Sequence, residues 1–390
     1  MPAPFLPAPD AAAMRHSAAL IQHIREDIRA HGGSIDFMRY MELALYAPGL
    51  GYYSAGPQKF GANGDFITAP EMGSAFARCL ARQCAQVFQQ LGKAEILEVG
   101  AGSGKLAADL LSALAQQGQL PHRYLILELS ADLRARQAAH VAKQIPELAS
   151  RIEWLDQLPA REFRGVIIAN ELLDAIPTQR FRVLSDGLRL LHVAWENDGF
   201  VWREVPAPTS LAAQVASRID FESLPAGYTS EINLQAEAWI RSMGQIMDAG
   251  LLLLIDYGFP RSEFYHPDRS DGTMMCHFRH QAHSDPFVLI GLQDITTHVE
   301  FTALAEAGHE SGLALLGYTS QAAFLLATGI AEQPPEPAKG DLRSQLELAQ
   351  EIKKLTLPHE MGELFKVLAL ARGLSGPLLG FVLQDRRSRL

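Results

Sequence analysis

The chain has 390 residues, 48% hydrophobic and 20% charged, enough apolar material to pack one large core with insertions or two domains. Lysine and arginine number 34 against 44 acidic residues, and the formal charge of −10 argues against nucleic-acid binding or adhesion to an anionic membrane. The three cysteines (Cys79, Cys84, Cys276) form no C-x-x-C pair, which excludes a disulfide framework or zinc ribbon, and no apolar run is long enough to span a membrane.

Met1 to Ala13 is rich in Pro and Ala and does not read as a signal peptide, so the expectation is a cytoplasmic protein without membrane insertion. Self-association into a homo-oligomer is left open. Residues 14–30 predict an amphipathic helix with Leu20, Ile21, Ile24 and Ile28 on one side. Two Gly-rich stretches follow, Ala47 to Tyr53 and Lys59 to Thr68, and then a long helix is expected over Ala69–Gln90, starting near Pro70.

From residue 94 short apolar runs alternate with helix-length segments. Glu95–Val99, Tyr124–Leu127, Arg151–Trp154, Val166–Ala169 and Leu251–Ile255 are the expected strands of a parallel sheet buried on both faces. Arg180 to Val205 alternates apolar and polar residues around Asp186-Gly187 and Asp198-Gly199, the pattern of a hairpin insertion. A helix over Glu360–Ala371, a last strand over Leu378–Leu383 and an exposed connection at Glu332–Lys339 complete the reading. The organisation expected is therefore a cap over 1–90, half of a doubly wound α/β core over 91–179, a β-rich and helical insertion over 180–245, and the rest of the core with a substrate lid over 246–390.

The sharpest signal is Glu95-Ile96-Leu97-Glu98-Val99-Gly100-Ala101-Gly102-Ser103-Gly104, a strand entering a glycine loop ahead of a helix. A phosphate-binding P-loop fails twice, since Lys105 is followed by Leu106 and the position five before Gly104 is Val99. A dinucleotide loop fails as well, because Lys105 stands at its third small position. The remaining pattern, the acid Glu98 followed by G-x-G-x-G, resembles motif I of class I S-adenosylmethionine-dependent methyltransferases, in which the loop passes beneath the methionine part of the cofactor. Tyr124 to Glu128 places a carboxylate at a strand end 28 positions after Gly100, where it can accept from both ribose hydroxyls. Asp156 follows the next strand, where that family contacts the adenine amine.

Three further segments narrow the resemblance: Gly64 to Glu71, Ala169 to Pro177, and Gln293 to Thr302. In this order they resemble the methyltransferase family of the mitochondrial complex I assembly factor MidA and its bacterial relatives, over roughly residues 30–385. The resemblance implies a Rossmann-like class I fold with an N-terminal helical cap and an insertion, S-adenosylmethionine as cofactor, and methylation of an arginine in a protein partner such as a complex I subunit. The chain shows no transit peptide, which points to a bacterial relative.

A guanidinium is protonated at neutral pH and a poor nucleophile, so a site for it needs carboxylates that grip its planar fork. Glu171 and Asp174, directly after the fourth core strand, are the candidates for that grip, with Asn170 shaping the transfer site. Their bland alternatives are helix capping for Asn170 and first-turn dipole contacts for the acids. Asp65 is a candidate over the cofactor, against an Asx-turn role. Asp294, Thr296 and His298, expected to start a helix, are candidates for substrate contact. His277, His280 and His283 recur every third residue, but no acid or cysteine cluster accompanies them and no metal is expected. Two rival functions stand beside arginine methylation: methylation of a small molecule, and a cofactor-binding assembly chaperone.

Overall fold

The computed structural model describes residues 6–54, 68–160, 162–333 and 342–390. Asp65 and the first half of the Gly64–Glu71 motif lie outside the described residues, as does most of the 332–339 connection. The chain divides into two compact units, one formed by 1–66, 174–236 and 259–300, the other by 67–173, 237–258 and 301–390.

The second unit is the doubly wound core. Its strands are β1 (Glu95–Val99), β2 (Tyr124–Leu127), β3 (Ile152–Leu155), β4 (Phe163–Asn170), β5 (Met247–Phe259), β6 (Ala314–Ser320) and β7 (Phe365–Arg372). They lie side by side in the order β6-β7-β5-β4-β1-β2-β3. The run from β5 to β3 is parallel, and β7 is antiparallel to both β5 and β6. Near-continuous apolar runs form these strands because both faces are covered. Ile96, Ile126, Val166, Ile168, Leu251 and Leu253 share one core with Leu80, Cys84, Leu110 and Leu114 of helices Ala75–Leu91 and Lys105–Gln116. Each such fully buried Leu or Ile contributes about 2 kcal/mol of apolar burial.

From β1 the chain winds outward to β2 and β3, then returns to β4 and winds the other way. The reversal puts a topological switch point between β1 and β4, and ligands of such sheets bind at the carboxyl ends of the strands there. This is the class I arrangement that the sequence predicts.

The other unit is assembled from three stretches of chain. Helix Ala11–Ala30 starts at Asp10, whose side chain accepts from the Ala12 and Ala13 amides (2.9 and 2.8 Å), and helix Phe37–Tyr46 starts at Asp36 in the same way. Ser34–Asp36 pairs antiparallel with Gly187–Glu196, the middle strand of the hairpins predicted around Asp186-Gly187 and Asp198-Gly199. N-terminal cap and insertion therefore share one sheet and one core, with Phe37, Tyr40 and Met41 packed with Val193 and Phe200. A three-stranded sheet of Met275–Phe278, Gln281–His283 and Asp294–Thr296 completes the unit.

Several expected elements come out differently. The helix over 69–90 is two helices, Ala69–Met72 and Ala75–Leu91, broken at Gly73-Ser74, and the second belongs to the core unit because it covers the sheet. Phe365–Arg372 is strand β7, not the end of a helix, and Leu379–Phe381 is a single 3-10 turn in place of the last strand. A fully apolar run buried on both faces carries no periodicity with which to tell strand from helix. His277, His280 and His283 do not share a helix face either. They lie on a hairpin turned by Arg279 and His280, both at positive φ (+46° and +62°), with Cys276 opposite His283. Among the described residues no group of three His, Cys, Asp or Glu could hold a metal ion.

Candidate functional site

At the end of β1 the chain passes through Gly100, Gly102 and Gly104 at φ +76°, +53° and +80° before helix Lys105–Gln116 begins. Side chains resist this left-handed backbone. Space is short too: a Cβ on Gly100 would stand 2.9 Å from Leu172 Cδ1, and one on Gly104 would stand 3.2 Å from Gln137 Cα. The loop is thus a shallow cradle with backbone for a floor.

Glu128, at the end of β2, is half-buried and its carboxylate is fixed. Oε1 accepts from the Ser130 amide (2.9 Å) and Oε2 from Gln137 Nε2 (3.1 Å). Each carboxylate oxygen has a second lone pair, so the group can still accept from two hydroxyls. Burial pushes its pKa up, against the opposing pull of these donors. Gln137 also donates to Gly102 O (3.1 Å) and accepts from Trp154 Nε1 (2.9 Å), so one side chain ties the glycine loop to β2 and β3. Sequence reading missed Gln137. The signal was there in its place between Leu133 and Val141 at four-residue spacing, a polar residue on the buried face of helix Ala131–Gln144.

Asp156 is exposed just beyond β3. Glu98 lies just ahead of the glycine loop, near the end of β1. Its side chain is 3% exposed, on the core face of β1, where Oε2 accepts from the Tyr124 hydroxyl at 2.6 Å. Burial raises its pKa to about 7 despite that hydrogen bond.

Across the switch point, Asn170 ends β4 and Glu171 follows at φ +51°, a left-handed conformation that costs a non-glycine residue about 1 kcal/mol or more. It is held there: the Glu171 amide donates to Ile255 O (2.9 Å), while Oε1 accepts from the Ala69 amide and from Asn170 Nδ2, both at 3.2 Å. Asn170 Oδ1 is buried without a hydrogen-bond partner among the described residues. A buried acceptor left open beside a ligand crevice fits a donor brought by something bound there. No α-helix starts here; Leu173–Ala175 is one 3-10 turn.

The remaining candidates belong to the other unit. Asp174 is 6% exposed and its carbonyl accepts from the Thr297 amide at 2.9 Å. Asp294 is a buried strand residue whose Oδ2 accepts from the Tyr53 hydroxyl at 2.9 Å, and the Tyr53 ring stacks on Tyr46 with centroids 5.5 Å apart. Burial first, then the charges of Asp294 and Asp174, push the Tyr53 hydroxyl well above its ordinary pKa. Thr296 is fully buried in the same strand, and His298 packs its ring 5.1 Å from that of Phe259. The helix expected to begin at Asp294 begins at Phe301, so neither Asp294 nor Thr296 caps it.

A cradle without the spacing of a phosphate loop and a strand-end carboxylate with acceptor capacity left both fit an adenosyl cofactor. The comparisons agree: this is an S-adenosylmethionine-dependent methyltransferase of class I fold. The chain belongs to the family described as "Putative S-adenosyl-L-methionine-dependent methyltransferase", which matches residues 79–319. A protein from Burkholderia thailandensis, crystallised bound to S-adenosyl-homocysteine, is 46% identical with a TM-score of 0.93, over 99% of this chain and 100% of that one. Among curated relatives, the zebrafish (Danio rerio) "Protein arginine methyltransferase NDUFAF7, mitochondrial" is 26% identical over 384 residues, 90% of this chain and 86% of its own. Its human counterpart is 25% identical over 401 residues, 90% and 83% of the two chains.

Proposed function

We propose that the chain methylates an arginine nitrogen of a protein, with a subunit of respiratory complex I as the first substrate to test. The observation that carries this reading is Glu171, a carboxylate fixed in a left-handed conformation at the carboxyl edge of β4. The relatives named as protein arginine methyltransferases support it.

Bound S-adenosylmethionine supplies a sulfonium methyl, which leaves with its carbon–sulfur bond breaking, the sulfur keeping the electron pair, as a carbon–nitrogen bond forms. The chain's residues position the partners. Gly100, Gly102 and Gly104 form the floor under the methionine portion, Glu128 accepts from the ribose hydroxyls and Asp156 from the adenine amine. Glu98 supports β1 from within. Glu171 grips the guanidinium fork and turns one nitrogen toward the methyl, and Asn170 Oδ1 accepts from a guanidinium N–H. The nitrogen that accepts the methyl gives up one proton to solvent as the bond forms, and the product stays a guanidinium cation, since a guanidinium keeps its remaining charge up to a pH above about 12. Asp174 is the second carboxylate for the guanidinium, Asp294, Thr296 and His298 contact the substrate, and Asp65 contacts the cofactor. The three thiols are buried and free, in keeping with a cytoplasmic location.

The test is transfer of label from methyl-tritiated S-adenosylmethionine into a cell extract, followed by acid hydrolysis and amino-acid analysis. Label in methylarginine is expected. Label confined to small metabolites would overturn the reading in favour of a small-molecule acceptor.

A further inference from the structure

The segment from Thr68 to Ser74 touches both sides of the switch point. Its single helical turn, Ala69–Met72, carries Pro70 in second position, within the first turn where no N–H is needed. On one side Glu71 Oε1 accepts from the Ser103 hydroxyl of the glycine loop, and Gly73 O accepts from Lys105 Nζ at 3.0 Å, at the start of the following helix. On the other side the Ala69 amide donates to Glu171 Oε1 at 3.2 Å. Behind it, the Ala75 amide donates to the buried Glu351 at 2.8 Å, which fixes the segment's far end to helix Leu342–Thr356.

We infer that Glu71 is a positioning residue that couples the cofactor loop to Glu171. The turn is tied to the loop and the following helix through Glu71 and Gly73, so a change in the loop at Ser103 moves Ala69, and with it one of the donors to the Glu171 carboxylate. Cofactor that settles the loop thereby settles Glu171, and by thermodynamic reciprocity Glu171 held in place favours the loop conformation that binds cofactor. The inference rests on the cofactor assignment and not on the identity of the methyl acceptor. It adds a coupling to the reaction: bound cofactor tightens the hold on the nucleophile's carboxylate.

The experiment uses the full chain, titration calorimetry with S-adenosylhomocysteine, and hydrogen exchange of peptides covering 68–74 and 169–175. In the wild type S-adenosylhomocysteine slows exchange in both peptides. Glu71→Ala weakens binding about tenfold, the size of one hydrogen bond, and at saturation the 169–175 peptide no longer gains protection. Ser103→Ala does the same, and the double variant binds no more weakly than either single one. Glu71→Gln keeps an acceptor for the Ser103 hydroxyl and stays near the wild type. Additive losses in the double variant would overturn the coupling. So would full protection of 169–175 in Glu71→Ala. If Glu71→Gln loses as much as Glu71→Ala, the carboxylate acts by its charge on the cofactor directly, and the coupling is wrong. Ligand-free unfolding temperatures serve as the folding control.

Discussion

Gly100 carries two separate constraints, a φ of +76° and a 2.9 Å approach of any Cβ to Leu172 Cδ1. Leu172 can give a little, but the backbone angle cannot be offered cheaply by a β-branched residue. Gly100→Val should therefore abolish S-adenosylhomocysteine binding in calorimetry, with Gly100→Ala intermediate. Affinity unchanged in the Val variant would mean the loop is not the cofactor floor.

Glu98 makes a second prediction at this scale. Its folded pKa of about 7 lies above the ordinary carboxyl value of 4.5, so the folded state binds the proton more tightly. The stability it contributes is complete below pH 4.5 and is lost as the pH rises through 7. Glu98→Gln removes the titration and can still accept from Tyr124. It should match the wild type near pH 5 and exceed it at pH 8 by up to roughly 3 kcal/mol. Denaturant unfolding at the two pH values checks this. An equal difference at both would show that burial does not perturb the carboxyl.

At the scale of elements, helix Ala75–Leu91 begins without a side-chain cap from Ser74 at its first turn, and Glu351 supplies the acceptor from 276 residues away. Gly73 makes room, since a Cβ there would lie 2.0 Å from Glu351 Oε2. Glu351→Ala should cost about 1 kcal/mol as a lost cap, and Gly73→Ala at least as much by displacing the same carboxylate. Urea unfolding of both variants and their double would show non-additive losses, because both act on one contact.

Elements were legible where pattern and punctuation agreed. The glycine loop, β1, β2 and the hairpins around Asp186-Gly187 and Asp198-Gly199 stood where the residues predict. Long-range partners left no such local mark: nothing near Ala75 announces Glu351. Asp294–Thr296 illustrates the opposite fault. Asp and Thr ahead of an apolar run imitate a helix start, yet the strand pairing with Met275–His277 prevails.

At the scale of the molecule, the core could be read in chain order because its first four parallel strands follow one another within residues 95–170. The other unit could not, since it owes its sheet to the long-range pairing of Ser34–Asp36 with residues 192–194. Candidate residues followed the same divide. The glycines, Glu128 and Glu171 were found from strand ends, whereas Glu71, Gln137 and Tyr53 became visible only through their partners.

Glu171 is where these levels meet, and its substitution by Gln is the most direct measurement. Glu171→Gln keeps the acceptor for the Ala69 amide but loses the charge that pairs with a guanidinium. S-adenosylhomocysteine affinity within a few-fold of the wild type is expected, with methyl transfer to protein reduced by at least about a hundredfold, the scale of a lost charge pair. Transfer at the wild-type rate with cofactor binding intact would contradict it, and would remove Glu171 from the acceptor site.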